Sequence, residues 1–316
     1  MQGRRMKNAA DWLVYLGVRI AICVVQAAPM ETCAACADVL AWLLTAVIPI
    51  RRQVIEENLR CAFPEMTDGD RRKLTLRMWR HLFLMVFEVA HAPIHLKATD
   101  WRRRIRSRSH GRISRLLLDP RPKIVVSAHF GNFEIAGYVA GLLGFPGYTI
   151  ARPLDNRYLD RYVNRFRRST GQAILPKQGS AETVQRIMDE GGVIGLLGDQ
   201  HAGPKGCWVD FFGRPASSHK AVALFCLAYD APLIVLFAIR GSRPFCFDMD
   251  VADILDPRTL PPSCRDVRWI TQWYHHELEA VIRRSPEQYW WVHRRWKGTP
   301  PGNRKAAEGE KDREAA

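Results

Sequence analysis

Two apolar stretches open the chain. Residues 12–30 carry Arg19 as their only charge, and residues 32–50 carry Asp38 as theirs. Each approaches the ~20 residues that cross a bilayer, and each has a charge near its middle that opposes a clean span. Arg4, Arg5 and Lys7 precede the first stretch, and Arg51 and Arg52 close the second. Basic flanks tend to stay on the cytoplasmic side, so residues 1–50 read as an apolar helical membrane-associated segment, either a shallow hairpin or a single tilted anchor. Two rival readings stay open. One is a signal peptide cleaved near Gln26-Ala27-Ala28, opposed by the apolar character beyond it; the other is a buried helical hairpin of a soluble domain.

Residues 51–100 have a helical period with one apolar side. From Lys123 onward, short β-branched runs alternate with amphipathic ones. Strands are predicted at 123–128, 148–151, 192–198 and 232–239. Helices are predicted at 132–143, 155–169, 181–190 and 217–229, with a long terminal helix over 263–284. This alternation predicts an α/β fold, a mixed sheet flanked by helices. No repeat or linker interrupts 51–298, which reads as one domain. Residues 299–316, with Pro300, Pro301, Gly302 and alternating charges, read as a disordered tail.

Composition adds little until charge is counted. The 316 residues are 47% hydrophobic and 25% charged, enough for a large core without disulfide or metal staples, which excludes disordered, collagenous and disulfide-framework classes. The balance of 47 Lys+Arg against 32 Asp+Glu, a formal +15, predicts a polyanionic partner, either nucleic acid or an anionic membrane face. The excess is concentrated. Residues 101–123 hold nine basic residues and one acid, and Arg157, Arg161, Arg165 and Arg168 share one face of the helix predicted at 155–169. His293-Arg-Arg-Trp-Lys297 adjoins Trp290 and Trp291. Tryptophan beside cations suits lipid headgroups and also stacking on single-stranded nucleic acid. No nucleic-acid-binding motif accompanies these patches, and the apolar N-terminus turns the choice to the membrane. The eight cysteines, Cys33-x-x-Cys36 among them, lack the second pair or spaced histidines of a zinc site and read as reduced thiols.

Candidate chemistry sits at Ser127-Ala-His129-Phe-Gly-Asn-Phe-Glu134, which leaves a predicted strand and opens a predicted helix. The strand end exposes the imidazole of His129, Gly131 permits a tight turn, and Glu134 falls in the first helical turn. On a continuous helix the two side chains would lie ~140° apart; the turn lets them meet. A carboxylate paired in this way fixes the imidazole tautomer and stabilises the imidazolium that forms on proton uptake. There is no G-x-S-x-G elbow, so a histidine base would act on the substrate's own hydroxyl or amine. Gly198-x4-Gly203-Pro-Lys205 imitates a phosphate loop, but its lysine is displaced and no Ser or Thr follows.

The ordered set of His129-x4-Glu134, Ala151-Arg152-Pro153-Leu154-Asp155-Asn156, Gly198-Asp199-Gln200 and Gly206-Cys-Trp-Val-Asp-Phe-Phe-Gly213 resembles the bacterial lipid A late acyltransferase family of the lysophospholipid acyltransferase superfamily. Glu57-Asn58-Leu59, Phe63-Pro64-Glu65 and residues 286–296 extend the likeness over about 10–297. Ala151 departs from a tyrosine-like residue, and His201 from an acid. The resemblance implies a glycerolipid acyltransferase-like fold. It also implies transfer of a fatty acyl group from acyl carrier protein, or acyl-CoA, to a hydroxyl of a membrane lipid, first among them a lipid A precursor, without cofactor, metal or acyl-enzyme. The place implied is the cytoplasmic face of the bacterial inner membrane, and the acceptor an anionic glycolipid or phospholipid. In that scheme His129 is the general base and Glu134 its orienting partner. Arg152 holds an acceptor phosphate or the developing oxyanion, and Asp199, Asn132 and Gly131 shape the substrate site. Alternatives are an acyltransferase acting on another phospho-, glyco- or aminolipid, and a non-enzymatic lipid-binding protein.

Overall fold

The computed structural model describes residues 2–300 apart from residue 178. The expected disordered tail therefore lies, from residue 301, outside the described residues. Helix α1 (Gln2–Ala27) and helix α2 (Met30–Trp42), which runs on as a π-helical turn through Leu43–Val47, make up the apolar N-terminal segment. They contain two stretches long and apolar enough to cross a membrane, Met6–Ala27 and Met30–Val47. Helix α3 (Arg52–Ala62) and the long helix α4 (Asp68–His95) follow. Thr67 caps α4, its Oγ1 accepting from the Asp70 amide at 3.1 Å. The 28 residues of α4 bury a stripe at Leu74, Met78, His81, Met85, Glu88 and Ala92, a heptad-like spacing that keeps one face on the domain.

Among the described residues, a seven-stranded sheet forms the centre, in the order β1-β9-β8-β2-β5-β3-β4. The elements run in sequence as β1 (Ile105–Arg106), α5 (His110–Leu118), β2 (Lys123–Ser127), α6 (Phe133–Leu142), β3 (Gly147–Ala151), α7 (Arg157–Arg168), β4 (Gln172–Pro176), α8 (Ala181–Asp189) and β5 (Val193–Leu197). A two-stranded hairpin, β6 (Cys207–Phe211) and β7 (Arg214–Ser218), precedes α9 (Ala221–Ala228), β8 (Leu233–Arg240), β9 (Phe247–Leu255) and α10 (Val267–Arg284). Strands β2, β3, β4, β5 and β8 are mutually parallel, while β9 runs antiparallel to β8, so the sheet is mixed. Ile124, Val126, Ile194, Leu233 and Val235 are buried in the main core cluster with Tyr274, Leu278 and Ile282 of α10.

Residues 217–218, predicted as the start of a helix, instead end β7. Ser217 and Ser218 are fully buried opposite Trp208 and Cys207, and the helix begins only at Ala221. The hairpin turn is Phe212-Gly213, both at positive φ (55° and 70°). Phenylalanine rarely adopts that conformation; burial of its ring edge-on against Phe63 and Trp291 holds it there.

Candidate active site

Strand register brings the site together. Ser127, the last residue of β2, pairs in parallel with Leu197, the last of β5, and the Gly198 amide donates to the Ser127 carbonyl at 2.9 Å. Two residues further along each chain stand His129 and Asp199. Asp199 Oδ2 accepts from the His129 amide at 3.0 Å, and Asp199 Oδ1 accepts from His129 Nδ1 at 2.9 Å. The pair sits at the carboxyl ends of central strands, where β2 is flanked by β5 on one side and β8 on the other, the usual place for a ligand in an open α/β sheet.

The partners fix the protonation pattern. A carboxylate only accepts, so Nδ1 of His129 carries the proton and Nε2 keeps its lone pair. Gln200 Nε2 donates to that lone pair at 3.3 Å. The indole of Trp290 lies 5.0 Å from the imidazole and Phe133 lies 5.3 Å away, edge-on. Burial opposes a charge on His129, but Asp199, through its charge and its hydrogen bond, outweighs burial. Glu134 adds a little, and His129 ends above the usual histidine value. Burial likewise opposes the charge on Asp199, and the His129 contacts overcome it, bringing the carboxyl down to about 2.

Glu134 does not hydrogen-bond to His129. The Nδ1 proton is already taken by Asp199, and both Glu134 oxygens face the guanidinium fork of Arg167 on α7, with Arg167 Nε at 3.1 Å from Oε2 and Nη2 on Oε1. Expected as the partner of the imidazole, Glu134 is instead half of an ion pair in the cavity wall. Gly131 and Asn132, expected at the substrate site, are engaged in building the turn beside His129. Gly131 has φ 59°, and a Cβ there would collide with the Ala238 carbonyl, so only glycine fits the turn. Asn132 is fully buried; its side-chain oxygen caps α6 at the Ile135 amide (3.2 Å) and its amide donates to Glu88 Oε2 (2.9 Å).

The turn at 129–132 is held by groups the sequence reading did not single out. Arg240 Nη2 donates to Glu88 Oε2 at 2.6 Å, its Nε bonds Oε1, and its Nη1 donates to His81 Nδ1 at 2.6 Å. His81 Nε2 then donates to the Gly131 carbonyl at 3.2 Å. Burial, then the Arg240 charge, holds His81 well below the usual histidine value, so it stays neutral. Gln288 closes the ring, accepting from the Arg240 amide at 2.8 Å while its carbonyl accepts from the Gly131 amide at 2.9 Å. The available signal was two polar residues, His81 and Glu88, in the apolar stripe of α4. Seven residues apart, they lie on one face.

From His129 a cavity of about 980 Å³ extends across one face of the sheet. Lys123, Val125 and Ser127 of β2 line it on the same side as His129, as strand alternation requires. Gly195 of β5 leaves room above the sheet, and α6 lines the cavity with Ala136, Val139 and Ala140. Lys123 belongs to the far end, its Nζ donating to the carbonyls of Asp119 (2.6 Å) and Arg121 (2.7 Å). Arg152 and Lys177 are exposed lining residues, with Arg152 paired, among the described residues, to the equally exposed Asp155 at 2.7 Å. Among the described residues there is no cluster of three or more His, Cys, Asp or Glu that could hold a metal ion.

The C-terminal segment expected as a basic membrane patch is divided, with Arg294 and Lys297 exposed and Trp291 and Arg295 interior. Trp291 and Arg295 are each 1% exposed. Arg295 donates to the Ser217 carbonyl (2.7 Å), Ser218 Oγ (2.6 Å) and His275 Nε2 (3.0 Å), and Asn58 Nδ2 donates to the carbonyls of Trp291 and His293, both at 2.6 Å. These contacts dock the segment so that Trp290 covers His129.

A family model described as bacterial lipid A biosynthesis acyltransferase matches residues 3–298. The chain is 24% identical to the lipid A biosynthesis lauroyltransferase of Escherichia coli (strain K12), over 92% of this chain and 93% of that protein. It is 23% identical to the lipid A biosynthesis palmitoleoyltransferase of the same strain, over 80% of each. Among solved structures, the 1-acyl-sn-glycerophosphate acyltransferase PlsC of Thermotoga maritima aligns with a TM-score of 0.38 at 12% identity, over 83% of this chain and 99% of that one.

Proposed function

The chain belongs to the bacterial lipid A biosynthesis acyltransferase family, and on that premise we propose that it moves a fatty acyl group from a thioester of acyl carrier protein, or of coenzyme A, to a hydroxyl of a lipid A precursor, with His129 as general base. The observation that carries this reading is His129 at the head of a largely apolar cavity, with its Nδ1 on the Asp199 carboxylate, an arrangement that leaves Nε2 to act as the base. The cavity suits an acyl chain lying over Gly195 and Val125 toward Lys123. From residue 129 back to 123 the strand rises ~20 Å, room for a long saturated chain.

In the proposed reaction His129 Nε2 takes the proton of the acceptor hydroxyl as its oxygen attacks the thioester carbonyl carbon. Asp199 holds the imidazole in the correct tautomer and stabilises the imidazolium. Gln200, whose amide reaches Nε2, gives up that bond as the hydroxyl approaches and is then a donor available to the developing oxyanion. The tetrahedral intermediate collapses by breaking the C–S bond. The leaving thiolate takes the proton back from His129, and an ester and a free thiol remain. No group on the enzyme is acylated. Arg152 and Lys177 are suited to an acceptor phosphate at the opening, more than to a buried oxyanion, because both are exposed.

The test is a mass-spectrometric comparison of membrane lipids from cells with the wild-type chain, with His129→Ala and without the chain. A mass increment of one acyl group on a lipid A precursor is expected only with the wild type, while His129→Ala remains in the membrane fraction. An unchanged increment with His129→Ala would overturn the assignment of the base. An increment on a different lipid would move the acceptor.

A further inference from the structure

Residues 288–295 touch both halves of the site. On the side of β2, the Gln288 carbonyl accepts from the Gly131 amide at 2.9 Å, Tyr289 bridges to Phe130, and the Trp290 amide donates to the His129 carbonyl at 3.0 Å. On the side of β5, His293 Nε2 accepts from the His201 amide at 3.1 Å. The turn that carries His129 and the turn that carries Asp199 and Gln200 leave different strands, yet one stretch of chain is bonded to both. Strand register sets the level at which the two turns begin. Residues 288–295 span them beyond the ends of the strands, where no ladder joins them.

Residues 198–203 belong to no helix or strand, so their backbone groups find partners elsewhere. The Gly198 amide has the Ser127 carbonyl, the His201 amide has His293, and the Ala202 amide donates to the Ser217 carbonyl at 3.2 Å. The Gly203 carbonyl accepts from Ser217 Oγ. Two of these partners depend on the C-terminal stretch, because the Ser217 carbonyl that receives Ala202 also receives Arg295 Nη1 at 2.7 Å. Arg295 is 1% exposed, and its hydrogen-bond partners among the described residues, Ser217, Ser218 and His275, are all neutral. A buried cation without a carboxylate is costly, so packing alone is a poor account of it. What its fork does achieve is to fasten residues 288–295 to β7 and α10, and β7 in turn holds residues 202–203.

Gln200 is the group most exposed to any looseness there. Asp199 is held to His129 by two hydrogen bonds, whereas the Gln200 side chain, among the described residues, has one, to the same imidazole. Once that bond is given up to the acceptor hydroxyl, the backbone of 199–203 alone keeps the amide in place. His293 bonds the next residue along. As an acceptor its Nε2 is bare, so Nδ1 carries the proton. Burial first, and Arg295 working against Asp199, hold His293 below the usual histidine value, which keeps it neutral and able to accept. Resting on the reading of His129 as base and Gln200 as oxyanion donor, we propose that His293 and Arg295 are positioning residues for Gln200, fixing residues 199–203 against the same stretch of chain that fixes the turn of His129.

The test is a double-mutant cycle on the full chain, with the dodecanoyl thioester of acyl carrier protein as donor and a detergent-dispersed lipid A precursor as acceptor. A displacement of ~1 Å at a reacting centre costs about 10²-fold, so His293→Ala should lower kcat by roughly that factor while KM stays within about twofold. His293→Gln, whose Oε1 can accept from the same amide, should recover most of kcat. Gln200→Ala should lose a similar factor, and adding His293→Ala to it should cost little more, because a group that is gone cannot be misplaced. Hydrogen exchange read by mass spectrometry should show the amides of 199–203 exchanging faster in His293→Ala and in Arg295→Lys, which keeps the charge and loses the fork, while peptides of β2 and α4 are unchanged. Losses that add across the cycle, a raised KM at full kcat, or unchanged exchange at 199–203 in both variants would overturn the proposal. Full turnover in His129→Ala or Gln200→Ala would instead overturn the catalytic reading beneath it, and the same assay tells the two failures apart.

Discussion

His129 works as a base only when Nε2 is free of a proton, so kcat/KM should rise with pH through a midpoint above the usual histidine value, because Asp199 holds the imidazolium in place. In Asp199→Asn that charge is gone, the midpoint should move down, and the amide can accept or donate, so the tautomer is no longer fixed. A loss of about 10²–10⁴ in kcat is expected, the usual range for a misplaced general base. Glu134→Gln should move the midpoint less, since Glu134 is the smallest of the named contributors and its oxygens are engaged by Arg167. A pH profile of the three proteins decides the matter: equal shifts in both variants would mean that Glu134, not Asp199, governs the imidazole. His129 and Glu134 stood out in the sequence through a strand-turn-helix context. Their pairing did not follow, because the turn's proximity of 129 and 134 says nothing about a residue seventy positions away on a neighbouring strand.

Helix α4 and strand β8 hold the turn that carries His129 through the buried Glu88–Arg240–His81 network. Removing one member strands the other's charge, so Glu88→Met should cost about 3–5 kcal/mol in denaturant unfolding, and Glu88→Met with Arg240→Met should recover most of it. If the network positions the turn, the double variant should be folded yet slow, with kcat lowered more than KM is raised; full kcat in a folded double variant would show a purely structural role. On β5, Gly195 leaves the cavity open above the sheet, so Gly195→Leu should fill that space and shift products toward shorter acyl chains, as read by lipid mass spectrometry with a mixture of donors. Most of these elements were legible. Strand β2, predicted at 123–128, is Lys123–Ser127, and helix α7, predicted at 155–169, is Arg157–Arg168. Strand β9 was missed although Phe247, Met249 and Val251 alternate with aspartates, and the β6–β7 hairpin was missed because its turn uses Phe212 at positive φ, which no turn signal announces.

For the whole molecule, buried ionisable groups set the response to acid. Burial and then Arg295 press His275 down to about 3, and burial and Arg240 hold His81 well below its usual value. For both, the folded value lies below the unfolded value near 6.5, so their contribution to stability is complete above 6.5 and is lost as pH falls toward the folded values. Asp199, brought down to about 2, contributes above its unfolded value near 3.8 and loses that contribution as pH falls through about 2. His129 runs the other way, its raised value favouring the fold at low pH, but it is outnumbered. Thermal unfolding midpoints should therefore drop steadily from about pH 6.5 to 3, and a flat profile would contradict the neutral buried histidines. The chain's own order of residues determined the α/β alternation, the apolar N-terminal helices, the concentration of cations on one face of α7 and the presence of a histidine at a strand end, because each is a matter of local period or adjacency. Only the tertiary structure decided that Asp199 stands behind His129, that Arg167 takes Glu134 and that Arg295 is interior. Those contacts join residues far apart in sequence, and they depend on strand register and helix packing, which no local pattern encodes.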